Sequence, residues 1–366
     1  MPSWNKVGAR KSTSETPSDL SESRVLANLA KLALGDLTDT PVPIPPISAD
    51  AWSVRHPTFL SPTTAQSLLG THAESSNTGA PNTVPADSTV TLPFNRMGFS
   101  ISASSHGDLY FFGGATDWNK RFHNDLYRYS TTENTFSSLQ CQGDVPSPRS
   151  GHVTATMGKV LLLHGGMTSA SNRDDGFFML NLALSRVRYR GHCYLDSLEW
   201  TKIVPAGKAP QARVYHAAAV VGTTFYIFGG SFGNIRYTSA NCLWSFDLST
   251  LFTQPTWEIV QPSTPEHPVK RLRHFMVPFY DQLIMFGGQE DLYKYSTLKD
   301  TWSFHLKTRV WSKIQSTPDI SITSGDQAAA SVGSFVYVFG GNCRDLRSNY
   351  ISAFNMHGKF VFLAEQ

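Results

Sequence analysis

The stretch that decides the fold runs from Arg213 to Trp257 and reads RVYHAAAVVGTTFYIFGGSFGNIRYTSANCLWSFDLSTLFTQPTW. It predicts four short strands, at 216–221, 225–228, 243–246 and around Trp257. The run 225–228 is aromatic and β-branched, too short for a helix, and ends at Gly229-Gly230. A run without polar alternation is buried on both faces of its sheet. One such sheet cannot bury both faces alone, so the stretch predicts copies of itself on either side.

The same double glycine ends an apolar run five times along the chain. The pairs are Gly113-Gly114, Gly165-Gly166, Gly229-Gly230, Gly287-Gly288 and Gly340-Gly341. Their second glycines lie 52 to 64 residues apart. An Arg-x-x-His segment precedes the pairs of repeats two to four, and an aromatic strand follows, as in LYRY, LWSF and TWSF.

A repeat of about 50 residues with these marks resembles the kelch repeat, each copy of which is one blade of a β-propeller. The resemblance covers about residues 94–366 and implies an all-β propeller with about five four-stranded blades. An ordinary β-sandwich with incidental Gly-Gly turns is the alternative. Kelch rings usually have six or seven blades, so either five blades form a tight ring or the ring lacks a blade. We favour an incompletely closed ring.

Composition divides the chain into three parts. Residues 1–50 are rich in Ser, Thr and Pro and predict a disordered tail. Residues 51–92 predict a linker that lies against the propeller, which itself spans 93–366. The second repeat is interrupted by a basic insert at 183–197, which we interpret as a long surface loop.

The composition and charge of the chain argue against several classes of protein. With 31 basic against 28 acidic residues, the chain has no basic excess of the kind that nucleic-acid binding requires. No apolar run is long enough to span a membrane, and no secretory signal is recognisable. The four cysteines are scattered, which favours free, buried thiols and a cytoplasmic protein. They are Cys141, Cys193, Cys242 and Cys343.

We find no catalytic or metal-binding pattern in the sequence. His152, His216 and His274 recur at one position of the repeat, which indicates a structural role, and His164 reads as a strand-end residue. The copper ligands of galactose-oxidase-like proteins have no match here. Neither does the Glu-xxx-Asp-xxx-His iron motif of kelch-type specifier proteins. We therefore predict no enzyme, no cofactor, no metal and no small-molecule substrate, with a kelch-type metal-dependent oxidase or lyase as the alternative.

The loops that follow each Gly-Gly pair carry the remaining functional candidates. Such loops lie on one rim of a propeller, and they are rich here in arginine and aromatic residues, the types enriched at protein interfaces. The predicted protein-binding residues are Trp118, Arg121, Arg173, Phe232, Arg236, Tyr237, Tyr293, Tyr295, Arg344 and Arg347.

Several phrases resemble one group of kelch proteins in particular, the fungal cell-end markers of polarised growth. They include FHNDLYRYST, GDVPSPRSGHVTATMGKVLLLHGG and DTWSFHLKTRVWSKI. The resemblance implies a cytoplasmic scaffold at the cortex of growing cell tips, with cytoskeletal or cortical polarity proteins as partners. Kelch adaptors of ubiquitin-ligase or Ras-regulating pathways are a further alternative, although no BTB segment is visible.

Overall fold

The computed structural model describes most of the chain from residue 96 onward. Backbone and side chains are described for residues 96–104, 107–116, 121–130, 132–182, 198–232, 241–251, 253–290 and 297–314. The backbone alone is described for further strands at 58–60, 186–189, 192–195, 238–239, 327–332, 335–340, 342–343, 346–347, 351–355 and 359–364. The predicted tail, residues 1–50, and most of the predicted linker lie outside these ranges.

Five four-stranded antiparallel units follow one another along the chain, which confirms the predicted all-β propeller architecture. Sheet 1 has strands Ser100–Ala103, Leu109–Phe112, Leu126–Ser130 and Thr135–Leu139. Sheet 2 has Val153–Met157, Val160–His164, Phe177–Asn181 and Leu198–Ile203. Sheet 3 has Ala217–Val221, Thr224–Phe228, Leu243–Asp247 and Trp257–Val260, with a short 3-10 helix at Leu248–Thr250. Sheet 4 has Phe275–Phe279, Gln282–Phe286, Thr301–His305 and Val310–Ile314. Sheet 5 has Gln327–Val332, Phe335–Gly340, Ile351–Asn355 and Lys359–Ala364.

The sheets are arranged around an axis by their first strands. The first strand of each sheet contacts the first strand of the next, in the series from sheet 1 to sheet 5. The second, third and fourth strands follow outward in that order. This is the arrangement of blades in a propeller, with the first strands innermost.

Two sheets gain a fifth, parallel strand at their outer edge. Thr58–Leu60, from the predicted linker, pairs with Thr135–Leu139 of sheet 1. Cys141–Gly143, which leads from sheet 1 to sheet 2, pairs with Leu198–Ile203. Both additions cover backbone groups that an edge strand would otherwise leave unpaired.

The hydrophobic core lies between neighbouring sheets. The strand Val160–His164 is buried along its whole length. Val160 and Leu162 belong to the cluster shared with sheet 3, whereas Leu161 and Leu163 belong to the cluster shared with sheet 1. Because successive side chains of a strand point to opposite faces, one strand serves two interfaces. Each fully buried leucine contributes roughly 2 kcal/mol, so the stacking of sheets contributes strongly to the stability.

The insert at 183–197, predicted to be a long surface loop, contains a two-stranded ribbon, Arg186–Tyr189 paired with His192–Leu195. Two sequence expectations need correction. Tyr226, within the run expected to be buried on both faces, is only partly buried. Cys141 and Cys242 are free as predicted, but Cys141 is half-buried and Cys242 is exposed.

Candidate functional site

One end of the sheets gathers all the recurring sequence marks. The first strand of each sheet begins at this end and the second strand finishes there, because the two strands are antiparallel. The Arg-x-x-His segments precede first strands, and the Gly-Gly pairs follow second strands. Both therefore lie on one side of the propeller, together with the loops that lead to the third strands. We call this side the Gly-Gly face.

Buried arginines hold the Gly-Gly face together. Arg149, Arg213 and Arg271 are each 3% exposed or less. Each guanidinium donates a hydrogen bond from Nη1 to the first carbonyl of its own Gly-Gly pair, at 2.8 Å in sheet 2 and 2.9 Å in sheets 3 and 4. Arg96 makes the equivalent bond to Gly113 in sheet 1, at 3.2 Å. The recurring arginine thus fixes where each second strand ends.

Three of these four arginines have a carboxylate partner. Arg271 and Asp300 form a two-point pair, with Nη1 to Oδ1 at 2.8 Å and Nη2 to Oδ2 at 2.9 Å. Arg149 donates to Asp174 at 3.1 Å, and Arg96 pairs with Asp125. Burial alone would raise the pKa of Asp300, but the hydrogen bonds and charge of Arg271 outweigh it and hold that pKa below its usual value.

In sheet 3 the arginine has no such partner among the described residues. Arg213 donates to the carbonyls of Gln211 and Gly229. Burial lowers the pKa of Arg213 to about 10, and Cys242 acts in the opposite direction. Sheet 3 thus departs from the pattern of its neighbours.

The glycine pairs provide space for histidines from two successive sheets. A Cβ on Gly165 would lie 2.8 Å from Cε1 of His216, in the next sheet. A Cβ on Gly166 would lie 2.9 Å from Cβ of His152, in the same sheet. Gly165 and Gly166 also have φ of +72° and +103°, where a side chain is strained. Each pair therefore permits its own sheet and the next to approach closely.

The recurring histidines are buried and neutral. His152 lies 2.8 Å from Ser100 Oγ through Nε2, and His216 lies 3.1 Å from Nδ1 of His164. Burial lowers the pKa of His152 to about 3, and the Arg149 charge adds to this effect. Burial also lowers the pKa of His164 to about 3, and the charges of Arg213 and Arg149 add to this effect. These contacts join neighbouring sheets, in keeping with the structural role that the repeat predicted.

Four residues form a chain of backbone hydrogen bonds around the inner edge of the Gly-Gly face. They occupy the third position of each Arg-x-x-His segment, or its counterpart in sheet 1, and are Gly98, Gly151, Tyr215 and Arg273. Gly151 N donates to Gly98 O at 2.8 Å, Tyr215 N to Gly151 O at 2.9 Å, and Arg273 N to Tyr215 O at 2.8 Å. All four have positive φ, between 55° and 67°.

Tyr215 and Arg273 adopt this left-handed backbone although they carry side chains. Their φ values are 58° and 55°, and such a conformation costs a non-glycine residue roughly 1–2 kcal/mol. The Arg273 guanidinium lies 4.8 Å from the centroid of the Tyr215 ring, and both side chains are partly exposed. We call these two residues the mouth pair, because they lie where the innermost strands begin.

The predicted rim residues are only partly within the described structure. Arg121 is exposed in a ribbon formed by Ala115–Thr116 and Arg121–Phe122. Phe232 is half-buried in the matching ribbon of sheet 3, Ser231–Phe232 with Thr238–Ser239. Arg173 is half-buried and bridges to Met167. The others lie outside the described residues or, for Arg347, have only a described backbone; they are Trp118, Arg236, Tyr237, Tyr293, Tyr295 and Arg344.

Sequence reasoning missed the mouth pair. An alignment of the repeats could have indicated it, since two repeats carry glycine at the positions of Tyr215 and Arg273. Its meaning depends on the backbone hydrogen bonds between sheets, which no local pattern displays.

Two further searches covered the described residues alone. No group of three or more His, Cys, Asp or Glu residues among them is placed to hold a metal ion. In the same part of the chain, no helix has the length and apolar character that crossing a membrane requires.

Comparison with known proteins shows the family. The chain matches the KLHDC2/KLHL20/DRC7 Kelch-repeats domain over residues 80–191 and 188–359. It is 29% identical over 229 residues to Tip elongation aberrant protein 1 of Schizosaccharomyces pombe, which covers 62% of this chain and 18% of that protein. It is 24% identical over 252 residues to Kelch domain-containing protein 3 of Rattus norvegicus, or 68% of this chain and 62% of that protein.

A third relative is an enzyme. The chain is 33% identical over 183 residues to the N-(sulfonatooxy)prop-2-enimidothioate sulfolyase of Thlaspi arvense, or 46% of this chain and 49% of that enzyme. The chain spans less than two thirds of the length of each of these three relatives.

Proposed function

We propose, from the premise that the chain belongs to the kelch-repeat family, that it is a non-enzymatic scaffold that binds a protein partner on the Gly-Gly face. The mouth pair is the observation that carries the proposal. Two large side chains stand in a left-handed backbone where two neighbouring sheets have glycine. Strained backbone of this kind clusters at functional sites in proteins, which makes the mouth pair a candidate site.

The chemistry of the mouth pair suits protein recognition. Tyrosine and arginine are the residue types most enriched at the centres of protein interfaces. A guanidinium over an aromatic ring is partly desolvated before binding and remains able to donate hydrogen bonds to a partner. The rim ribbon that carries Arg121 lies on the same face, so a partner seated on the mouth pair would reach the predicted rim residues as well.

We further propose that this scaffold acts in cell polarity. The proposal rests on the likeness to a fission-yeast protein whose name refers to tip elongation, and on the sequence phrases quoted above. Under this proposal the partners are cytoskeletal or cortical proteins, and the protein acts in the cytoplasm near growing cell ends. A role as an adaptor for ubiquitin ligases or Ras regulation is the other binding function that kelch proteins suggest.

The experiment is an affinity purification with three forms of the full chain, followed by quantitative mass spectrometry. The forms are wild type, Tyr215→Gly with Arg273→Gly, and a control with Tyr280→Gly and Arg309→Gly. Tyr280 and Arg309 also have positive φ, at 51° and 56°, and both are exposed, but they lie in turns at the opposite end of sheet 4. The control thus removes the same two residue types with the same relief of strain.

We expect the partners of the wild type to be lost at least tenfold from the mouth variant and retained by the control. Because both variants replace strained residues by glycine, neither should unfold at 25 °C. Equal retention by the two variants would exclude the mouth pair as the binding site. Recovery of ubiquitin-ligase subunits in place of polarity proteins would support the adaptor role instead.

The likeness to a sulfolyase favours a second candidate function, a metal-dependent lyase. Metal analysis of the purified protein tests it directly. Iron or copper bound in a one-to-one ratio would overturn the non-enzymatic proposal.

A further inference from the structure

Among the described residues, sheet 3 has a buried guanidinium without a matching anion. Arg213 is 3% exposed, and its Nε and Nη1 donate to backbone carbonyls. Within the described residues, its Nη2 has no acceptor, whereas the same nitrogen of Arg271 donates to Asp300 at 2.9 Å. Burying a charged group without a counter-ion is unfavourable. The position beside Nη2 therefore favours an anion.

Cys242 stands where sheets 1 and 4 have that anion, Asp125 and Asp300. It immediately precedes Leu243, which pairs with Phe228. Asp300 immediately precedes Thr301, which pairs with Phe286 at the same step of sheet 4. The two side chains therefore leave the backbone at equivalent places, next to equivalent arginines. The electrostatic effect of Cys242 on Arg213 agrees with this placement.

The Cys242 side chain is also open to solvent. Cys242 is exposed, so a small dissolved oxidant can reach the sulfur, whereas the Arg213 side chain is buried. Within the part of the chain that the structure describes, sheet 3 thus combines an accessible thiol with a buried cation that has no carboxylate partner.

We propose that Cys242 is an oxidation site, at which a peroxide converts the thiol to a sulfinate that pairs with Arg213 as Asp300 pairs with Arg271. A sulfinate, like a carboxylate, carries one negative charge over two oxygens, so it supplies the acceptor that Nη2 lacks.

The chemistry takes two balanced steps. In the first, the thiolate sulfur attacks hydrogen peroxide; an S–O bond forms, the O–O bond breaks, and sulfenate and water result. In the second, the sulfenate sulfur attacks another peroxide in the same way, which gives sulfinate and water. Each step oxidises sulfur by two electrons and reduces one peroxide.

The test treats the full chain with hydrogen peroxide and follows each cysteine by peptide mass spectrometry. Cys141 is the internal control, since it is half-buried and burial raises the pKa of its thiol to about 11. We expect the gain of two oxygens to be at least tenfold faster at Cys242 than at Cys141. Oxidation of Cys141 while Cys242 stays reduced would overturn the proposal.

The second readout is the melting temperature, which tests the pairing with Arg213. Oxidation should raise the Tm of the wild type by about 2 °C, a typical shift for one added interaction in a domain of this size. It should not raise the Tm of an Arg213→Gln variant. An equal shift in both proteins would refute the pairing.

If Arg213→Gln does not fold, a further pair of variants tests whether position 242 accepts an anion. Cys242→Asp should melt about 2 °C above Cys242→Asn, because only the aspartate adds a charge next to Arg213. Equal melting temperatures would show that the position does not accept an anion, and the proposal would fail. None of these measurements requires a binding partner, so failure here leaves the proposed scaffold function untouched.

Discussion

The replacement Asp300→Asn tests whether ion pairs hold the Gly-Gly face together. Arg271 is fully buried and the Asp300 side chain is 18% exposed. The carboxylate accepts two hydrogen bonds from Arg271 and a third, at 2.6 Å, from the indole of Trp302. Asparagine has nearly the same shape but replaces one acceptor by an NH₂ group. That group would face a donor, and the charge of Arg271 would lose its partner.

We expect this change to lower the free energy of unfolding by about 3 kcal/mol. Removing one member of a buried ion pair typically costs about 3–5 kcal/mol, and partial exposure of Asp300 places the cost at the low end. In a domain of this size the melting temperature should fall by about 6 °C. Urea denaturation at pH 7 measures the loss directly, through the midpoint at unchanged slope.

Asp174→Asn is the matched control in sheet 2. Asp174 accepts a single bond from Arg149, at 3.1 Å, and its side chain is 29% exposed. Its Oδ1 also accepts from the Gly176 backbone N–H, and asparagine can keep both bonds through its carbonyl oxygen. Since only the charge of the acceptor is lost, we expect a loss of about 1 kcal/mol, the difference between a charged and a neutral hydrogen bond.

A double variant completes the test. Arg271→Gln added to Asp300→Asn leaves no buried charge, so the double variant should be more stable than the sum of the two single losses predicts. Purely additive losses, or equal losses for Asp300→Asn and Asp174→Asn, would refute the reasoning. The two-point pair would then contribute no more than an ordinary surface contact.

Two other predictions concern glycines and histidines. Gly165→Ala should lower the free energy of unfolding by more than about 3 kcal/mol, since its Cβ would lie 2.8 Å from His216 and 2.9 Å from the Arg213 carbonyl. Gly222→Ala is the control, since Gly222 is also at positive φ but has nothing within 4 Å of the added Cβ, and it should cost only about 1 kcal/mol. Urea denaturation that gives the same loss for both variants would contradict the steric explanation. His152 and His164 have a pKa of about 3 in the folded protein, against about 6.5 in the unfolded chain. The unfolded chain therefore binds more protons between these values, and stability should fall as the pH drops from 6.5 towards 3, by about 1.4 kcal/mol per pH unit for each histidine. Urea midpoints that stay constant between pH 7 and pH 5 would show that these histidines are not buried.

The repeated strands were predictable from sequence because each is specified locally. An apolar run, a turn and a Gly-Gly stop recur along the chain. The strands predicted at 216–221, 225–228 and 243–246 therefore lie within one residue of the observed Ala217–Val221, Thr224–Phe228 and Leu243–Asp247. The ribbon within the 183–197 insert was not predicted, although Val187 and Tyr189 alternate with arginines in its first strand. Ribbons of this kind are specified by backbone pairing rather than by a buried face.

The position of each Gly-Gly pair could be predicted from the sequence, but its structural role could not. The sequence indicates a backbone that adopts positive φ, which Gly165 and Gly166 confirm. It cannot indicate that the two glycines make space for histidines from two different sheets, because the contact of Gly165 with His216 joins residues 51 positions apart. The buried arginines were likewise visible as repeat marks, but their hydrogen bonds to glycine carbonyls follow only from the three-dimensional arrangement.

The departures of sheet 3 from the repeat lie on one face rather than throughout the sheet. Phe225, Phe246 and Trp257 are buried in a continuous core with sheet 2, so the packing of sheet 3 is intact. A repeat that was merely decaying would lose core residues as readily as surface residues. Tyr215, in a strained backbone, and Cys242, in place of a carboxylate, both lie at the Gly-Gly face. Local rules broken only at one face, over an intact core, are the pattern expected of a functional surface.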